Sequence, residues 1–264
     1  MKWSNEYKVH YYYTDYNNIL KPSYIGRYMQ ETAWYALKNL GPSPQYLAEN
    51  NLAFILSKIS FRYYSEIRED DIIKVETWAN PPKTVIFPRN YRIYNRNRNS
   101  EIAVEAVSAF ALMDMKEKTV LKPDVIEENF KNGFDCEELD FTVRRRFKAP
   151  ENPIYSVKNN KNDKNEYKAA YSDIDTNLHM NNAAYIDLIC DNLYSDCEKL
   201  SPDLKKRILS LDLNYNSPAV FGDIIGIEQT AAHDENTTDE VRFISGKIKS
   251  SGQNCFEARV VIKK

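Results

Sequence analysis

The stretch YSDIDTNLHMNNAAYIDL, Tyr171 to Leu188, governs the reading of the chain, because a dense polar loop there passes directly into a helical pattern. Asp173, Asp175, Asn177, His179, Asn181 and Asn182 crowd into the loop. Ile186, Ile189, Cys190 and Leu193 then recur at three- and four-residue spacing, which predicts a helix burying one face, with Asn181 or Asn182 as its N-cap. His179 is one of three histidines, and imidazole is the side chain whose ordinary pKa suits proton transfer near neutrality. Just ahead of a helix N-terminus it would share that end with free backbone N–H groups and the positive pole of the helix dipole, both of which favour a developing oxyanion. A bland reading competes with this one. Asx-rich loops before helices are very often plain capping loops, and a lone histidine is more often structural than catalytic.

Working outward, the same succession of strand, polar loop, helix and strands occurs twice. In the first half Glu6–Thr14 reads as a strand and TDYNNILKPS as a loop. An amphipathic segment follows from Ser23 to Asn39, with Ile25, Tyr28, Met29, Thr32, Tyr35 and Ala36 on one face, stopped by Leu40-Gly41-Pro42. Further strands are expected at Phe54–Tyr64, Asp71–Trp78 and Thr119–Leu121. A hairpin joins Lys83–Asn95 to Glu101–Asp114 around Arg96-Asn97-Arg98-Asn99. In the second half the pattern restarts near Tyr155 and ends in two arms, Val241–Ser250 and Cys255–Lys263. Thr14-Asp15 is matched with Ser172-Asp173. SKISFRYYSEIREDDII (Ser57–Ile73) is laid on SLDLNYNSPAVFGDII (Ser210–Ile225), with one residue of slack near the end, so that Tyr63 meets Tyr215 and Asp71 meets Asp223. A repeat this long signals a duplicated domain and not a solenoid. The boundaries drawn are 1–121, a charged connection 122–149, and 150–264. Periodicity alone reaches an α+β protein with antiparallel sheet.

Composition excludes several functions. The 264 residues are 42% hydrophobic, enough for a core of ordinary size, and the formal net charge of −2 offers no general attraction for nucleic acid or membrane. No apolar run reaches membrane-spanning length, and the N-terminus MKWSNEYKVHYYYTDY has no signal- or transit-peptide pattern. Cys136, Cys190, Cys197 and Cys255 lack CxxC spacing and are expected to be buried thiols of a reducing cytoplasm, with no metal or cofactor implied. There is no G-x-S-x-G nucleophile elbow, and seven unclustered glycines make no phosphate loop. The run Arg144-Arg145-Arg146, joined by Arg89, Arg92, Arg96 and Arg98, is either a solvated surface or a docking patch for a strongly acidic partner.

The D-x-N-x-H-x-N-N pattern from Asp175 to Asn182, followed by an apolar helix carrying Tyr185, resembles the second half of the acyl-ACP thioesterases of plants and bacteria. The resemblance implies a double hotdog, two tandem domains each with a long helix wrapped by an antiparallel sheet. It also implies hydrolysis of fatty acyl thioesters of acyl carrier protein, with Asp175, Asn177 and His179 as the catalytic set. The first half, without a histidine in its loop, would shape the acyl pocket, with Met29 and Trp34 as candidate lining residues. One departure stands out: the family's glutamate on the strand after the catalytic helix falls on Pro218, and the cysteine that follows it in plant members falls on Ala219. A thiol nucleophile there is excluded, and the missing carboxylate leaves Glu66, at the matching position of the first half, and Asp212 as weak substitutes. Two other readings remain, an acyl-CoA thioesterase and a non-catalytic acyl-binding hotdog. A homodimer is compatible with exposed sheet edges.

Overall fold

The computed structural model describes residues 1–126, 133–147, 155–157, 165–195, 200–201, 206–233 and 238–263. They fall into two compact units, Met1–Val143 and Arg144–Lys264.

In the first unit, β1 (Trp3–Lys8) leads through a polar loop to α1 (Pro22–Leu40). Pro22 presets the first helical turn, and Ser23, Ile25, Met29, Thr32 and Ala36 recur at helical spacing to bury one stripe against β1 and against β3 (Ile72–Ala79). Gly41, whose N–H returns to the Leu37 carbonyl at 3.1 Å, and Pro42 end the helix. Tyr35, expected on the buried face, is exposed. The connection expected after α1 contains a short helix, α2 (Pro44–Glu49), started by Ser43 accepting the Tyr46 N–H at 3.1 Å. β2 (Leu52–Tyr63), β4 (Ile86–Asn95), β5 (Glu101–Asp114) and β6 (Thr119–Val120) complete the unit. The antiparallel order is β1-β3-β4-β5-β2, with β6 on β5. β1 stops at Lys8 and not at Thr14, because Tyr11–Tyr13 wind into a 3-10 turn.

The second unit repeats the plan. β7 (Tyr155–Val157) and β8 (Glu166–Lys168) precede α3 (Asn182–Leu193), followed by β9 (Ile208–Tyr215), β10 (Ile224–His233), β11 (Glu240–Ile248) and β12 (Asn254–Ile262). Their antiparallel order is β9-β12-β11-β10-β7, with β8 also on β10. Ala183, Ala184, Tyr185, Ile186, Leu188 and Ile189 are all buried, so α3 sinks deeper than a single apolar stripe would require.

Registers define the repeat. Glu6-Tyr7-Lys8 pairs with Lys74, Ile73 and Ile72, and Glu166-Tyr167-Lys168 pairs with Gly226, Ile225 and Ile224. That places Asp15 on Asp175, two residues away from the match drawn from sequence. Nor is there slack between the later strands. β2 carries a bulge at Ser57 and β9 one at Leu209, so Ser57 lies on Leu209 and the offset stays constant to Asp71 and Asp223. β5 and β12 are bulged at matching places too, at Ala103 opposite the Ile93–Tyr94 step and at Cys255 opposite the Gly246–Lys247 step.

The cysteines differ from expectation. Cys136 is exposed and Cys190 half-buried, whereas Cys255 is buried, with its thiol pushed up to about 12 by desolvation. Cys197 lies outside the described residues. Among them no helix is long and apolar enough to cross a membrane.

Candidate active site

The loop before α3 is held by its own backbone. Asp175 N–H donates to the His179 carbonyl at 2.9 Å, Leu178 N–H returns to the Asp175 carbonyl at 3.0 Å, and Leu178 takes a left-handed φ of 62°. The Asp175 carboxylate accepts the Asn177 N–H at 2.8 Å, an Asx turn. Ile174 and Met180 then bridge, and His179 bridges Val220, with Met180 N–H on the Ala219 carbonyl at 2.8 Å. His179 is thus clamped between a turn and a strand end, its side chain half-buried. Among the described residues no side-chain hydrogen bond joins the imidazole to Asp175, whose carboxylate serves the turn. The Asn177 carboxamide is exposed and carries no hydrogen bond among them either.

Asn181 is the N-cap of α3, its side chain accepting the Ala183 N–H at 2.9 Å while its carbonyl takes the Ala184 N–H at 2.9 Å. The expected set of free donors therefore shrinks to the Asn182 N–H, backed by the helix dipole. Asp173 is committed elsewhere, accepting from Tyr167 Oη and the Ala170 N–H, both at 2.7 Å. Tyr185, singled out only as part of the motif, seats the next layer. Its hydroxyl accepts the Ala219 N–H at 3.0 Å, its ring meets Tyr215 edge-on, and burial raises it to about 12. Exposed Tyr171, Leu178, Val220 and Phe221 surround the loop with apolar surface that its polar composition conceals.

The weak substitutes for the missing glutamate are both occupied. Glu66 is ion-paired with Arg68, and Asp212 is wholly buried, with Arg144 Nε at 3.2 Å and Arg259 Nη1 at 3.9 Å. The extended arginine patch dissolves in the same way. Arg92 is bound to Glu105 and Glu137, Arg96 to Glu6, and Arg98 lies 3.7 Å from Glu101, while Arg89 is drawn into the sheet. Arg145 and Arg146 are exposed, and Arg144 leans on Asp212. Of the proposed lining residues, Met29 is buried in the first unit, but Trp34 is exposed with the Lys38 ammonium 5.0 Å above its ring, so it lines nothing.

Solved structures share this architecture along its whole length. An acyl-ACP thioesterase from Bacteroides thetaiotaomicron matches with a TM-score of 0.75 at 20% identity, covering 99% of this chain and 98% of that one. The 12:0-ACP thioesterase from Umbellularia californica matches with a TM-score of 0.79 at 14% identity, covering 99% and 94%. The fold is therefore the α+β double hotdog, as the resemblance implied. Sequence-family models then identify the line of descent: the acyl-ACP thioesterase N-terminal domain matches residues 1–131, and the C-terminal domain matches residues 156–264. The chain belongs to the acyl-ACP thioesterase family and is a thioester hydrolase. A comparison with curated proteins gives no significant match.

Proposed function

We propose that this protein hydrolyses fatty acyl thioesters of acyl carrier protein at His179, with Asn177 as a second polar contact and Asp175 as the residue that builds the turn presenting them. One observation carries this: a half-buried imidazole without a protein partner among the described residues is clamped three residues ahead of a helix N-terminus. The thioester carbonyl is set toward the Asn182 N–H, which polarises it. His179 takes a proton from water as the water oxygen bonds to the carbonyl carbon, and the Asn177 carboxamide holds that water or the carbonyl. Collapse of the tetrahedral adduct breaks the C–S bond. The proton held by His179 passes to the departing thiolate, leaving a free fatty acid and the carrier thiol. The carrier is met at Arg145 and Arg146, exposed cations suited to an acidic partner.

The test is hydrolysis of matched acyl-ACP and acyl-CoA series from short to long chains. Wild type should turn over the ACP series, and Arg145→Glu/Arg146→Glu should raise KM for ACP substrates alone. Equal losses on both carriers would remove the docking surface. Pro218, at the family's carboxylate position, favours a second reading, a binding module. Tight binding of thioester with no turnover would establish that instead.

A further inference from the structure

Matched residue for residue, the two helix-leading loops and the strand ends that bridge them differ in surface character. Where the first unit has Asn18, Arg68 and Glu69, the second has Leu178, Val220 and Phe221, which are 75%, 42% and 66% exposed. Tyr11 and Ile72, like their counterparts Tyr171 and Ile224, are exposed apolar residues in either unit, so the change is confined to the residues flanking His179. Leu178 is the costliest of the three. It holds a left-handed φ of 62° where Asn18 holds 61°, a conformation that asparagine tolerates and a bulky apolar residue disfavours. Folding alone would favour the asparagine, and neighbouring apolar side chains left together in water mark a contact surface. The charge changes as well. Lys8 pairs with Asp70 at 2.9 Å, but Gly222 stands in the place of Asp70, and exposed Lys168 has no ion pair among the described residues. Gly222 N–H donates to the Ala169 carbonyl at 2.9 Å, which sets the Lys168 segment beside Phe221.

We propose that Leu178, Val220 and Phe221, bordered by Lys168, form the seat for the acidic protein that carries the thioester. This rests on the hydrolysis of carrier-bound thioesters proposed above. The side chains stand out into solvent, too exposed to enclose an acyl chain, so another protein surface has to cover them. A partner seated on Leu178 and Val220 also comes down over the residue they flank, since Leu178 precedes His179 and Val220 bridges it. A lipid surface or a second copy of this chain placed there would close the site to substrate. Only the partner that brings the thioester turns the same contact into delivery. Charge agrees with that occupant. Lys8, Glu66, Arg68, Glu69 and Asp70 give the first unit a net negative border, whereas Lys168, Pro218, Val220, Phe221 and Gly222 give the second a positive one, which attracts an acidic protein.

The experiment measures docking apart from turnover. Acyl carrier protein in its free-thiol form, which offers nothing to hydrolyse, is titrated calorimetrically into the full chain as wild type, Phe221→Glu, Lys168→Glu and Leu178→Asn. Wild type should bind it saturably. Phe221→Glu, which copies Glu69, and Lys168→Glu should each weaken binding about tenfold, the loss expected of a residue central to an interface. Leu178→Asn should weaken binding less and raise Tm, because asparagine suits the left-handed turn. Unchanged affinity in Phe221→Glu and Lys168→Glu would overturn the seat, even if wild type hydrolyses acyl-ACP. Weakened affinity in both upholds it, even if wild type turns over no thioester. If Phe221→Glu does not fold, Lys168→Glu and Leu178→Asn decide by the same readout. Vesicles of phosphatidylcholine with phosphatidylglycerol should not retain wild type, and sedimentation velocity should give wild type and Phe221→Glu the same size. Retention on vesicles, or a dimer, that Phe221→Glu abolishes while carrier affinity holds would assign the surface to lipid or to a second copy and overturn the proposal.

Discussion

The loop from Thr14 to Lys21 and the loop from Ile174 to Asn181 are built alike down to single hydrogen bonds, but one carries isoleucine where the other carries histidine. Asp15 N–H donates to the Ile19 carbonyl at 2.8 Å, Asn18 N–H returns to Asp15 at 3.0 Å, and Asn18 has a φ of 61°. The Asp15 carboxylate accepts the Asn17 N–H at 2.8 Å, the distance found between Asp175 and Asn177. Ile19 bridges Arg68 as His179 bridges Val220. Asp and Asn at these places therefore serve a turn that both halves need, and what the second half adds is the imidazole together with the Asn182 N–H, where the first half has Pro22. The carboxylates are distributed the other way: two residues before the strand residue that bridges the loop, the half without histidine has Glu66, ahead of Arg68, and the half with it has Pro218, ahead of Val220. Duplication kept the frame in both units, and the chemistry separates at individual side chains.

The sharpest way to break this contrast is to erase it. His179→Ala makes the second loop as inert as the first, and kcat should fall by about 10²–10⁴-fold, the usual contribution of a positioned acid or base. Tm should hold, because the side chain is half-buried and ties nothing together. An unchanged rate would transfer the chemistry to another group. The next largest effect concerns the buried carboxylate of β9. Asp212 lies where the first unit has Ser60, both wholly buried. Asp212→Ser takes away the acid that Arg144 and Arg259 approach, and urea unfolding should show a loss of about 3 kcal/mol. The rate per folded molecule should stay as it was; a large drop in it would make Asp212 part of the reaction.

Packing supplies a further contrast. Ile93 faces Val104 in the first unit, and Gly246 faces Phe256 at the equivalent place in the second. A Cβ on Gly246 would sit 2.3 Å from Phe256 Cε1, so the glycine is the space the ring fills. Gly246→Ile should cost about 1–3 kcal/mol by overpacking, and Phe256→Val a similar amount through the cavity it opens. The double variant copies the first unit. It should recover most of the loss, a coupling that a thermodynamic cycle measures. Additive losses would mean that the halves pack by different rules.

How much of this was legible in the chain depended on whether the signal was local. Helix periodicity, the Asn181 cap and the hairpin around Arg96–Asn99 are written in neighbouring residues, and, apart from the exposed Tyr35, they appear as read. The repeat was visible but misaligned at its start, because Asp15 and Asp173 both precede helices by similar distances. The tripeptide Glu-Tyr-Lys at Glu6 and Glu166 would have fixed that offset. Ser43-Pro44 likewise marks the start of α2, a cap followed by proline at N1. The fate of the arginines was not legible at all. Arg92 finds Glu105 and Glu137 across 13 and 45 residues, and only strand pairing brings such charges together. For the same reason a run of positive residues says little about a docking face until each partner is known.

The smallest effects separate the two meanings of the shared aspartate. Asp15→Ala should cost about 1–2 kcal/mol and Asp175→Ala about 1 kcal/mol, amounts typical of a lost cap. Asp15 is the costlier, since it also accepts the Ile19 N–H at 3.0 Å. The kinetic outcomes should diverge. Asp15→Ala leaves the rate per folded molecule unchanged, whereas Asp175→Ala lowers kcat because the turn that presents His179 loosens. Asp175→Asn then decides what the carboxylate is for. A carboxamide oxygen still accepts the Asn177 N–H, so a residue that only shapes the turn returns both stability and rate. A partner of the imidazolium needs the negative charge, and in that case Asp175→Asn restores the melting temperature while kcat stays low. Full rescue of both quantities would assign Asp175 and Asp15 the same task, and His179 would then be the acid–base group that sets the second loop apart.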